Sequence, residues 1–307
     1  MHKLLYWLLP SLLFWVGCKS SEKAIYAPDQ VVPTDKALLW KINGNGLKKP
    51  SYLYGTIHLI PKNQLAFSEA LLTALDGSKR VAFEIDMRVM TNFRSQMGLM
   101  TKAFMAGGTT LKDLLPPDDY ALVKEKMAEK GLPSAMFERM KPMFLSTLIA
   151  GEEDGGATLG GQMTSVEMEL FRLSRKRRME SAGLETADYQ MSVFDSIPYE
   201  AQAKMLVQGI RSVGADTTGE NELEKMIGMY LDQDISAMQA MISAPENGMG
   251  GYEDVLLNRR NRNWIPVMGK FMRDKPTLFA VGAGHLGGPS GVVALLRKEG
   301  YRVEPAR

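Results

Sequence analysis

The segment Ser51-Tyr52-Leu53-Tyr54-Gly55-Thr56-Ile57-His58-Leu59-Ile60 decides the fold of this chain. Its leucine, aromatic and β-branched residues favour a strand, and a glycine followed three positions later by a histidine marks where that strand leaves its sheet. Upstream, Leu38 to Ile42 has the same character, and Asn43-Gly44-Asn45-Gly46-Leu47-Lys48-Lys49-Pro50 supplies turn residues between the two runs. A β-hairpin is expected, its second strand ending at Gly55 to His58. Far downstream, Thr277 to Val281 is again strand-like and runs into Gly282-Ala283-Gly284-His285-Leu286-Gly287-Gly288-Pro289-Ser290-Gly291. A helix over Gly291 to Glu299 and a strand over Tyr301 to Glu304 complete an α/β unit.

Between these ends, Arg80 to Asp86 alternates apolar residues with Glu84 and Asp86, a strand that pushes carboxylates out of its C-terminal end. A short helix over Glu69 to Leu75, stopped near Gly77, precedes it. Helical spacing then dominates. Met90, Phe93, Met97, Met100 and Phe104 form one apolar stripe; Pro116-Pro117-Asp118 opens a helix with Asp118 as its N-cap and Gly131 beyond its end. Ser134 starts another helix, which Pro142 must kink or divide because it lacks a backbone donor. The glycine-crowded stretch Gly151 to Gly161 reads as a loop, and no phosphate-cradling string of glycines, lysine and serine or threonine occurs. Val166, Leu170 and Leu173 give a helix, Met179 to Leu184 a strand delivering Glu185, and helices follow over Tyr199 to Ser212, Glu220 to Leu231, Ile235 to Ile242 and Tyr252 to Met272. The expected architecture is a mixed α/β fold: a central β-sheet built from the N-terminal hairpin and the C-terminal strands, with a large helical middle section.

Residues 1–18 carry a basic start, the apolar run Leu4 to Val16 and Gly17-Cys18, the pattern of a secretory leader that is too short to span a bilayer. Cys18 is the single cysteine, so no internal disulfide can form. Trp15-Val16-Gly17-Cys18 resembles a bacterial lipobox, making Cys18 the expected lipid attachment point. Residues 19–36, polar with Pro28 and Pro33, read as a tether. The expected location is the bacterial cell envelope, lipid-anchored and facing the periplasm or the surface, with plain secretion as the alternative. With 37 basic and 35 acidic residues the net charge is +2, and no strong field favours nucleic acid. The basic run Arg175 to Arg178 lies in a helical pattern and reads as a solvated face. The 22 methionines read as core filler rather than copper ligands.

The chain has three histidines. One, His2, falls in the leader, and the other two each end a G-x-x-H string at a strand terminus. Ligands of open α/β sheets collect at the carboxyl ends of strands, so both imidazoles enter one crevice if their strands are neighbours. A single histidine in such a place is more often structural than functional; two in equivalent contexts, with Glu84 ending the intervening strand, favour a site. Two imidazoles and a carboxylate are the ligand set of many catalytic metal centres. No H-E-x-x-H string exists, so any such centre must be assembled from distant strands.

The ordered set Leu39-Trp40-Lys41-Ile42, Tyr52 to His58, Phe83-Glu84-Ile85-Asp86, Gly183-Leu184-Glu185-Thr186 with Gln190, Arg259-Arg260-Asn261 and Val281 to Gly288 resembles the TraB/GumN family, which includes the Tiki proteins. The resemblance covers Leu38 to Val303, one domain within residues 37–307. For Tiki members it implies a metal-dependent protease that needs both G-x-x-H histidines and a glutamate, with manganese or cobalt as supporting ions; zinc is a further candidate here. Carried onto this chain it implies His58, His285 and Glu84 as metal-site residues, with Glu84 serving as ligand or as base. Glu185 and Arg260 join Glu84 as catalytic candidates, and Gln190, Asn261, Gly55 and Gly284 as substrate-binding ones. Val166-Glu167 resembles the family's glycine-valine-acid string, but Ser165 stands at the glycine position, which leaves a role for Glu167 in doubt. Asp86 shares a strand face with Glu84 and has helix capping as its rival role.

The leading expectation is a metal-dependent hydrolase, a peptidase, acting on a peptide or protein substrate outside the cytoplasm. Two alternatives stand beside it: a lipoprotein that captures peptides without cleaving them, and a metal-free hydrolase using one histidine as base.

Overall fold

The computed structural model describes residues 22–129, 131–151, 163–214, 222–244 and 251–307. The expected leader, Cys18 and nearly all of the glycine stretch after Gly151 lie outside the described residues. The strands are β1 (Leu39–Gly44), β2 (Ser51–Thr56), β3 (Ile60–Pro61), β4 (Arg80–Ile85), β5 (Met163–Thr164), β6 (Glu180–Glu185), β7 (Thr277–Gly282) and β8 (Tyr301–Pro305).

Six of them form one sheet in the order β6-β4-β7-β2-β1-β8. The neighbours β6/β4, β4/β7 and β7/β2 are parallel, whereas β2/β1 and β1/β8 are antiparallel. The hairpin is present, with Leu39 opposite Tyr54 and Ile42 opposite Ser51. Strand β7 lies at the centre and is buried along almost its whole length, as a parallel strand covered on both faces must be. At the antiparallel edge, β8 alternates buried and exposed residues, the mark of a half-solvated sheet. Because β2, β4, β6 and β7 run in parallel, residues at their carboxyl ends meet along one edge. That edge receives both G-x-x-H strings, Glu84 and Glu185.

The main core joins the sheet to the helices Arg259–Asp274 and Val292–Lys298 through Trp40, Phe83, Phe279, Trp264 and Leu296. A second apolar cluster, with Leu111, Val123, Met127, Phe137 and Met140, holds the helical middle section together. Met127, Met140, Met238 and Met268 are buried, in keeping with methionine as filler.

Several boundaries differ from the sequence reading. The stripe from Met90 divides into a 3-10 turn (Met87–Thr91) and a helix (Phe93–Lys102), because the Asn92 side chain accepts from Ser95 N–H and starts the helix afresh. The helix Pro117–Glu129 begins at Pro117, so Asp118 lies within its first turn and is not its N-cap. Gly131 does close that helix with φ +71°, and Leu132 N–H returns to Met127 O at 3.0 Å. Pro142 divides its segment by opening the helix Pro142–Gly151. The two-stranded β3/β5 ribbon was not foreseen; two residues per strand are too few to leave a pattern.

Residues 22–36, the expected tether, lie along the C-terminal strand. Ala24 N–H bonds Gly300 O at 2.7 Å, Val303 N–H bonds the Tyr26 hydroxyl at 2.8 Å, and Arg297 donates to Gln30 O at 2.9 Å. Arg297 also stacks over the rings of Tyr26 and Trp40.

Candidate active site

His285 follows β7 in a single turn of 3-10 helix, and its ring is buried. Asn261, on the helix Arg259–Asp274, fixes it. The Asn261 amide nitrogen donates to His285 O (3.3 Å) and Ser290 O (3.0 Å), which turns Oδ1 toward His285 Nδ1 at 2.6 Å. An amide oxygen cannot donate, so Nδ1 carries the proton and Nε2 a lone pair. Burial holds this imidazole down to a pKa of about 3, against the pull of Glu84, and Arg260 and His58 add to the depression. The ring is neutral at pH 7. Trp264, fully buried, packs against it with centroids 4.6 Å apart.

Glu84 leaves the end of β4. Its Oε1 accepts from Gly282 N–H at 2.9 Å and faces His285 Nε2 at 3.7 Å. Its Oε2 accepts from Gln190 at 3.2 Å and from Arg260 Nη2 at 2.5 Å. Burial pushes this carboxyl up, but the Arg260 charge, the two histidines and the Gly282 amide outweigh it and hold the group well below the usual carboxylate range.

Arg260 is the hub. Its Nε donates to Glu185 Oε1 at 3.0 Å and Oε2 at 3.2 Å, and its Nη2 donates to Oε1 at 2.6 Å. Its Nη1 donates to Leu256 O at 3.1 Å and lies 3.3 Å from His285 Nε2. A guanidinium has five N–H groups, and these contacts together with Glu84 engage all five. Trp264 completes the cluster by donating to Glu185 Oε2 at 2.9 Å beneath the Arg260 cation. A π-helical turn, Asp254–Asn258, precedes Arg260 where one continuous helix was expected; such turns often occur at functional sites.

His58 follows β2 and stands at the open side, its side chain 75% exposed. Its Nδ1 meets Glu167 Oε1 at 2.9 Å, and Glu167 also accepts from Thr56 at 2.7 Å and Ser165 at 2.8 Å. Glu167 lifts the imidazole toward a pKa of about 9, a pull that solvent screens because the ring is so open. Glu167 is thus a partner of one G-x-x-H histidine. Ser165, at the glycine position of the family string, caps the helix Val166–Lys176 and donates to that same carboxylate.

The structure therefore brings Glu84, Glu185, Gln190, Arg260, Asn261 and His285 together, with His58 beside Glu167 at the rim. Five of the candidates have contacts that bear on their roles. Asn261 is committed to His285 and Ser290 and so positions the imidazole. A Cβ on Gly55 would lie 3.0 Å from Ala283 Cβ, and one on Gly284 would lie 2.2 Å from Ile242 Cδ1, so both glycines make room for the protein's own packing. Asp86 caps the 3-10 turn and binds Arg88 and Ser181. Arg260, the remaining catalytic candidate, has all five of its donors engaged within the protein.

The donor chemistry suits a divalent ion. Both G-x-x-H histidines present Nδ1 to an oxygen acceptor, the arrangement that second-shell groups impose on metal-holding imidazoles, and Nε2 of His285 faces Arg260 Nη1. Among the described residues, however, no three histidine, cysteine, aspartate or glutamate side chains close around one point. Trp264 and the partnership of Glu167 with His58 were missed from sequence. Arg260 and Trp264 at i and i+4 on one helix face were the available signal for the first.

The chain is 22% identical over 324 residues to a zebrafish (Danio rerio) protein named Metalloprotease TIKI1, covering 87% of this chain and 63% of the relative. It is 23% identical over 326 residues to the human (Homo sapiens) Metalloprotease TIKI1, covering 88% and 62%. Metalloprotease TIKI2 of Danio rerio matches at 22% over 320 residues, covering 87% and 60%. The chain thus spans under two thirds of the length of these relatives. No solved structure matches significantly. The family model for TraB/PrgY/gumN matches residues 38–305, nearly all of the folded part, and the chain belongs to the TraB/PrgY/gumN family.

Proposed function

We propose that the chain is a metal-dependent peptidase whose reacting centre is the carboxyl-edge crevice, with His58, His285 and Glu84 holding a manganese, cobalt or zinc ion. The observation that carries this reading is the shared orientation of the two histidines, each anchored through Nδ1 to an oxygen acceptor, beside an ionised Glu84. That the relatives are named metalloproteases supports peptide or protein as the substrate class.

When bound, such an ion supplies Lewis acidity, lowering the pKa of water toward neutrality. The chain's own groups do the rest. Glu84, held deprotonated by Arg260, offers Oε1 either as a ligand or as the acceptor of a water proton. Asn261 keeps the proton on His285 Nδ1 and so leaves the ring's lone pair on Nε2. The longest of the Arg260 contacts, Nη1 to His285 at 3.3 Å, is the donor that can turn toward a developing oxyanion. His58 at the open side reaches solvent and incoming peptide.

The test is incubation of purified protein with a diverse peptide library, with and without manganese, read by mass spectrometry. The reading predicts metal-dependent products that vanish in His58→Ala and His285→Ala; binding without products refutes catalysis and favours capture. A second reading, metal-free hydrolysis with a histidine as base, draws on Arg260 already placing a cation among Glu84, Glu185 and His285. Activity that survives complete chelation selects it. The proposal includes a lipid anchor at Cys18 in the cell envelope, resting on the leader-like residues 1–18; palmitate labelling that persists in Cys18→Ser refutes that part.

A further inference from the structure

The buried cluster is short of one positive charge. Glu84 and Glu185 bring two carboxylates, Arg260 brings one guanidinium, and His285 is neutral. His58 does not make up the difference, because Glu167 claims it. A buried negative charge without a counter-charge is costly, so the pocket favours one more cation. The position such a cation would take is also identifiable. Among the described residues Glu84 Oε1 accepts one hydrogen bond, from Gly282, and it faces His285 Nε2 at 3.7 Å. Two donors bound at ~2.1 Å to one divalent ion stand about 3 to 4 Å apart, so this pair has the span of a shared ion. What caps the Nε2 lone pair is Arg260 Nη1, 3.3 Å away, while the same guanidinium holds Glu84 through Oε2 at 2.5 Å.

We propose that Arg260 is the resident cation of this crevice, and that a divalent ion binds Glu84 and His285 in competition with its guanidinium. The inference rests on the reading that an ion enters here, and adds that the chain's own arginine sets how tightly. Glu185 has a defined part in it. By forking onto Nε and Nη2 at 3.0 and 2.6 Å it draws the guanidinium to one side, leaving Glu84 Oε1 open.

The experiment is a Mn²⁺ titration of the full chain followed by loss of the free-ion paramagnetic resonance signal, with no activity readout needed. Arg260→Gln keeps a hydrogen-bonding side chain and removes the charge; it should bind Mn²⁺ at least about tenfold more tightly than wild type, since a unit charge a few ångströms away is worth more than that at intermediate dielectric. Arg260→Lys keeps the charge and should stay within about threefold of wild type. Glu185→Gln leaves the guanidinium wholly to Glu84 and should weaken binding by at least about tenfold. Near-UV circular dichroism, with Trp264 as its buried reporter, establishes the fold of each variant; if Arg260→Gln does not fold, Glu185→Gln carries the test alone. Wild-type binding that is unchanged or weaker in Arg260→Gln, or unchanged in Glu185→Gln, overturns the competition and leaves the metal site standing. Absence of Mn²⁺ binding in wild type and every variant overturns the metal reading and this inference with it.

Discussion

Asn261 gives the sharpest prediction, because one small side chain determines the chemistry of His285 without touching the reacting position. Asn261→Ala leaves three partners unpaired: the Nδ1–H of His285, its carbonyl, and the carbonyl of Ser290. A buried polar group stripped of its partner costs roughly 1–3 kcal/mol, so even with water entering the small gap the variant should lose about 3–4 kcal/mol. For a domain of this size that lowers the melting temperature by on the order of 10 °C. Thermal unfolding by circular dichroism measures it. Nitrogen-15 spectra of the histidine rings, with only three in the chain, show the chemical effect. Wild-type His285 should be the Nδ1–H tautomer and stay neutral down to a pKa of about 3, whereas the variant should show mixed tautomers. Asn261→Asp sets a carboxylate against the same nitrogen and should raise the His285 pKa above its wild-type value. A destabilisation below about 1 kcal/mol with the tautomer unchanged in Asn261→Ala refutes the positioning role.

Three further outcomes follow from the same contacts. In Gly291→Ala the new methyl would sit 2.1 Å from Gly287 O and 2.3 Å from Leu286 O, backbone that cannot yield, whereas in Gly284→Ala it meets the tip of Ile242; chemical denaturation should show Gly291→Ala as the larger loss, by about 1–3 kcal/mol, and equal losses contradict it. Glu167→Gln removes the charge that lifts His58, so ring titration should find its pKa falling from the raised value toward the ordinary 6.5; no fall means Glu167 is a bystander. His285 and Glu84 both have folded pKa values below their unfolded ones, so below pH ~6.5 for the histidine and below the ordinary glutamate range for Glu84 the unfolded chain binds protons the folded one refuses. Stability contributed by the pair is full above pH ~6.5 and should decline as pH drops toward 3; in His285→Gln the upper part of that decline should disappear, and a decline identical to wild type is the contrary result.

Much of the fold is legible in the sequence because strands announce themselves by composition and their ends by glycine. The hairpin, β4, β6, β7 and β8 all fall within a residue or two of their expected positions. Parallel order across the sheet is not legible, since pairing β7 between β2 and β4 is a long-range choice made by packing. That order brings His58, Glu84, Glu185 and His285 to one edge. The roles within the site divide similarly. Residue types marked Glu84 and Arg260 as candidates, and the two meet in one cluster, but direction was not legible: that Arg260 spends every donor inside the protein, or that Asn261 faces the imidazole, depends on helix phase against the sheet. Glu167 was discounted for want of a glycine before it, yet Ser165 reaches the same carboxylate from the helix cap. The π-helical turn before Arg260 left no periodic signature, since one extra residue in a single turn barely shifts a helical pattern.

The claim on which the account turns is that both G-x-x-H imidazoles serve one ion. Electron spin-echo envelope modulation of the Mn²⁺-loaded chain counts nitrogen nuclei bound to the metal. The account predicts coupling from two histidine nitrogens, falling to one in His58→Ala or in His285→Ala. A loaded protein that shows no histidine nitrogen, or the same coupling after either substitution, contradicts it.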